Sequence, residues 1–139
     1  MIRKVFILLL VPLFIESHLY LIISSEKELL SAIMRGFKKH TNKKNIKELY
    51  LINESRKEWL LRAFTKSANK LKRVKSHKVW QDGNHPILLD TAIKTEQRLH
   101  YIYNKPVDDK IVDEPSHYLY SSARDYHDIK GLLEIEFLH

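Results

Sequence analysis

Apolar residues recur along this chain at helical spacing in three stretches, and short apolar runs separate them. From Ser25 to about Leu49, one face carries Leu29, Leu30, Ile33, Met34 and Phe37. The other side and the C-terminal end carry Lys38, Lys39, Lys43, Lys44 and Lys47, and Ser25 with Glu28 has capping-box spacing. A second helix is predicted from Asn53 to about Lys75. Asn53 or Ser55 can cap it, Ser55 with Glu58 repeats the spacing, and Leu60, Leu61, Phe64 and Leu71 mark its apolar side. A third helix is predicted from Asp90 to Pro106. Asp90 or Thr91 can cap it, and Pro106, without an amide hydrogen, ends it. Its apolar stripe is Ile93, Leu99, Ile102 and Tyr103. Lys94, Gln97, Arg98, Tyr101 and Lys105 share the opposite side.

The short runs read as strands. Val79-Trp80-Gln81 is followed by the turn Asp82-Gly83-Asn84, and His85-Pro86 leads into Ile87-Leu88-Leu89. Val107, Ile111 and Val112 pack a short segment that Asp113-Glu114-Pro115 ends, and Leu132–Leu138 is a late strand or an interaction tail. At the start, Arg3 and Lys4 precede the apolar run Val5–Ile15, which resembles a secretory signal. Pro12 interrupts that run, Glu16, Ser17 and His18 follow it, and no small-x-small cleavage site appears. A second run, Leu19–Ile23, comes directly after, so residues 5–23 fit a β-hairpin equally well.

Composition narrows the function classes. The 139 residues, 44% hydrophobic, suit one domain with a core. The formal net charge of +7 favours a polyanionic partner, nucleic acid before an anionic membrane. With no cysteine, disulfides and thiolate zinc sites are excluded, and with three glycines a glycine-rich phosphate loop is absent. The basic run Lys66, Lys70, Lys72, Arg73, Lys75 and Lys78 is diluted by few acids, which makes it the better candidate for DNA contact. Lys94, Arg98 and Lys105 add cations around Tyr101. A phenol among cations can bind phosphate, or attack it if something activates it.

The second half carries a resemblance. VWQDGNHPILLD, LHYIYNKPVDDKIVDEPSHYLYSSARDY and KGLLEIEFL resemble the REP-associated tyrosine transposases, within the single-tyrosine HUH transposases and nucleases. The most specific pieces run from Tyr101 to Val112 and from Tyr118 to Tyr126. The resemblance implies an α+β, ferredoxin-like antiparallel sheet with helices packed on one face. It also implies metal-dependent cleavage and rejoining of single-stranded or hairpin DNA through a 5′-phosphotyrosine. A Mg²⁺ or Mn²⁺ ion, held by two histidines and an amide, would polarise the phosphate.

Carried onto this chain, the resemblance makes Tyr101 the nucleophile and His18, in IESHLYLIIS, the first metal ligand. Tyr20 stands at the second histidine position and Lys105 at the amide position. Tyr is a poor ligand for a hard divalent ion and Lys repels one, so impaired catalysis is implied. The family's first strand and helix have no counterpart ahead of Met1, which implies an N-terminally truncated copy with an open sheet edge. The expected state is a cytoplasmic monomer or homodimer with no membrane association. The alternatives are a catalytically dead nucleic-acid-binding remnant and a small secreted or tethered protein.

Overall fold

The computed structural model describes residues 18–69 and 77–138. They fall into two compact units, one drawn from Met1–Lys27 and Ile87–His139 and the other from Glu28–Pro86. The apolar run at residues 5–17, on which the signal and hairpin readings rest, lies outside the described residues. No described helix is long and apolar enough to cross a membrane.

The second unit contains α1, Leu30–Leu51, and α2, Lys57–Asn69. α1 starts five residues later than Ser25, with Leu29 at its N-cap position and no side-chain cap bond there. Ahead of α2 it is the Glu54 carboxylate, not Asn53 or Ser55, that accepts the Arg56 amide hydrogen at 3.0 Å. This bond holds the Glu54 carboxyl below the usual carboxylate range. Leu49 and Ala68 are buried.

The first unit is organised on α3, Ala92–Asp108. Thr91 caps it, as its sequence implied, with the Thr91 hydroxyl accepting from the Lys94 amide at 3.2 Å. Pro106 does not end it. The helix runs two residues further, and Pro106 is a fully buried side chain. The missing proline donor falls in the last turns, and the Pro106 carbonyl still accepts from the Ile111 amide at 2.9 Å. Two short 3-10 turns follow, Pro115–His117 and Ser122–His127. Ile22, Ile102, Tyr103 and Ala123 form the core, with Leu99, Tyr118, Tyr126 and Ile135 packed against it. Ile93, assigned to the apolar stripe, is exposed.

The expected ferredoxin-like antiparallel sheet is overturned. The described residues are 54% helical and 2% strand, with no sheet. His18 and Ile22 are isolated bridge residues, and the three other strand candidates form no ladder. Around Val79-Trp80-Gln81 the physical reason is visible, because α1 side chains satisfy the backbone groups that a partner strand would have taken. The Asn42 amide donates to the His77 carbonyl at 3.0 Å and accepts from the Val79 amide at 2.8 Å. The Lys38 ammonium donates to the carbonyls of Gln81 and Gly83 at 3.3 and 3.1 Å. The Trp80 indole donates to the Thr41 hydroxyl at 2.9 Å, and its ring lies 5.8 Å from that of Phe37. In the tail, the Tyr126 hydroxyl accepts from the Leu138 amide at 3.0 Å. The carboxylate of Asp125 accepts from the Gly131 amide at 3.1 Å.

Candidate functional site

α3 turns Tyr101 outward, on the exposed side with His100, while the next two residues turn inward. Ile102 and Tyr103 are buried, whereas Tyr101 is 47% exposed. The guanidinium carbon of Arg98, one turn earlier, lies 6.0 Å from the Tyr101 ring centre, within reach of a cation–π attraction.

Tyr20 meets Tyr101. Their rings are 6.1 Å apart at an interplanar angle of 75°, an edge-to-face arrangement. His18 in turn stacks on Tyr20 at 6.4 Å and 21°. Partial burial raises the Tyr20 pKa, the charge of Tyr101 and a hydrogen bond to it push the same way, and Lys105 opposes them. Tyr20 is therefore a protonated phenol at neutral pH.

Lys105, one turn beyond Tyr101, is not a bare cation. Its ammonium lies 2.7 and 2.9 Å from the two carboxylate oxygens of Asp109. That hydrogen bonding raises the Lys105 pKa, and both phenols act in the same direction. Asp109 was missed in the sequence, although its position four residues after Lys105 is the ordinary spacing of a helical ion pair.

Tyr101, Tyr20, His18, Arg98 and Lys105 thus come together in one unit, around one face of α3. Lys94, also on α3, is paired with Asp90 at 2.7 Å. Lys66 and Lys78 belong to the other unit, where Lys78 is paired with Asp82 at 2.8 Å. Lys70, Lys72, Arg73 and Lys75 lie outside the described residues.

The donor set does not fit Mg²⁺ or Mn²⁺. His18 offers an imidazole, Tyr20 a phenol whose pKa is raised, and Lys105 an ammonium whose pKa is raised. Hard divalent ions take anionic or carbonyl oxygens, and a cation beside them repels them. Among the described residues no group of three or more His, Asp or Glu side chains could hold a metal ion. What the arrangement offers instead is aromatic faces beside fixed positive charge, which suits a nucleotide. Comparison with protein-family models, curated proteins and solved structures found no match.

Proposed function

We propose that this chain binds single-stranded or hairpin DNA at the Tyr101 face and is a relative of the REP-associated tyrosine transposases with impaired strand cleavage. The observation that carries this reading is the cluster itself. Tyr101 is exposed, Arg98 lies over its ring, and Tyr20 and Lys105 stand at the positions the resemblance assigns to metal ligands. Exposed rings stack on bases whatever their sequence, and cations beside them follow the backbone. The net charge of +7 supports a polyanionic partner. Binding at the Tyr101 face rests on this cluster and not on a sheet, which is absent from the described residues.

Metal-assisted attack by Tyr101 lacks two partners here. The second ligand position holds a protonated phenol and the third holds an ammonium already bound to a carboxylate. The proposed location is the cytoplasm, where a strand of DNA is available. The second reading, an active transposase, is favoured only by the exposure of the Tyr101 phenol among cations.

A gel-shift titration against a hairpin-bearing single strand tests binding. Affinity is expected to fall steeply with salt and to drop by about fivefold to more than a hundredfold in Tyr101→Ala, the range for losing one stacked base. A flat salt response, or full affinity in Tyr101→Ala, would contradict the proposal.

A further inference from the structure

α2 and the end of α1 border an open groove that the Tyr101 site does not use. It is lined by Tyr50, Glu58, Arg62, Lys66, Asn69 and His77, all within the second unit. Arg62, Lys66 and Asn69 are spaced by four and three residues, which places them on one face of α2. The Tyr50 ring at the edge of the groove is 57% exposed.

Among the described residues the cations of this groove carry no carboxylate partner, and a ring lies beside them. Lys78, Lys94 and Lys105 are each held by an aspartate. The Arg62 and Lys66 side chains make no ion pair or hydrogen bond among the described residues, and Glu58, the one acid in the groove, pairs with neither. Two unneutralised cations one turn apart attract an anion, and no intramolecular partner has to be displaced first. An aromatic face beside them takes an unpaired base. A duplex satisfies the cations but leaves Tyr50 without a base to stack on.

We infer that this groove is a second site for single-stranded nucleic acid, with backbone phosphates at Arg62 and Lys66 and a base on Tyr50. Asn69 and His77 supply polar groups to the same strand. The inference extends the reading of the chain as a nucleic-acid binder, yet it uses none of the Tyr101-site residues.

The test is a salt titration of the full chain with a short single-stranded oligothymidylate, for the native chain, Arg62→Ala/Lys66→Ala, and the same pair of changes in a Tyr101→Ala background. Each phosphate contact on a single strand contributes about 0.7 to the slope of log affinity against log salt, so the double variant is expected to lower the slope by about 1.4. The same loss in the Tyr101→Ala background supports the groove even if the Tyr101 site fails. An unchanged slope in a variant of native helicity overturns the inference, and so does the absence of any binding. Should the double variant lose helicity, crosslinking of the native chain to a 5-iodouracil-bearing strand decides. A crosslink at Tyr50 supports the groove, and crosslinks only elsewhere overturn it. A duplex that competes as well as the single strand would overturn the assignment to unpaired bases.

Discussion

Tyr20 and Tyr101 stand edge to face, 6.1 Å between ring centres, and burial and mutual repulsion raise the pKa of Tyr20. In a working tyrosine nucleophile the neighbour would be a base or a metal ligand that takes charge off the phenol. Here the neighbour is a second phenol, which resists ionisation when Tyr101 ionises. The pair is suited to stacking and hydrogen bonding, and poorly suited to attack on phosphate.

This coupling has a measurable sign. The Tyr101 charge raises the Tyr20 pKa and the Lys105 charge lowers it. Alkaline titration of the tyrosine absorbance should therefore move Tyr20 down in Tyr101→Phe and up in Lys105→Ala. Movement in the opposite sense in either variant would show that the two phenols are not coupled as described.

Tyr103 gives the fold an alkaline limit. Burial raises its pKa well above the ordinary value of 10, and its hydroxyl hydrogen-bonds with that of Ser122 at 3.2 Å. The folded state therefore keeps a proton that the unfolded chain loses above about pH 10. Stability is full below that pH and falls as pH rises beyond it, by at most about 1.4 kcal/mol per pH unit from this group. Urea unfolding at a series of pH values should show that slope in the native chain and a shallower one in Tyr103→Phe. The variant should also lose about 1 kcal/mol at neutral pH with the Ser122 bond.

Releasing Lys105 should strengthen DNA binding. Asp109 holds the ammonium at 2.7 Å, and Asp109→Asn removes the competing carboxylate. Affinity for single-stranded DNA should rise and the salt slope should steepen by up to about 0.7, one more phosphate contact. Weaker binding in this variant would mean that Asp109 positions Lys105 productively.

The attachment of residues 77–83 to α1 should depend on Asn42. Its side chain makes two hydrogen bonds to the backbone of His77 and Val79, at 3.0 and 2.8 Å. Asn42→Ala leaves one donor and one acceptor without their partner, at a cost of about 1–3 kcal/mol. Hydrogen exchange should accelerate at Val79 before it does in the middle of α1.

The helices were legible because their periodicity and one cap were local signals. Thr91 caps α3 through a residue three positions away, and that relationship needs no tertiary information. Pro106 misled because the rule for proline describes a helix interior, while a buried proline near the last turn is tolerated. The strands misled for a different reason. An apolar triplet such as Val79-Trp80-Gln81 does not reveal whether its backbone partners will be another strand or the side chains of Lys38 and Asn42. At the site, no local spacing announces the meeting of Tyr20 with Tyr101, because the two are far apart in the chain. Asp109 was within reach of the i,i+4 rule.

The most direct measurement of the central claim is a paired binding and adduct assay on one sample. The chain is mixed with hairpin-bearing single-stranded DNA in Mn²⁺ and, separately, in EDTA. Native gels read binding, and denaturing gels with mass spectrometry read covalent linkage at Tyr101. The account expects equal binding in both conditions and no adduct in either, since cations and rings hold the strand and the donor set does not suit a metal. Binding abolished by EDTA, or an adduct at Tyr101 in Mn²⁺, would contradict it.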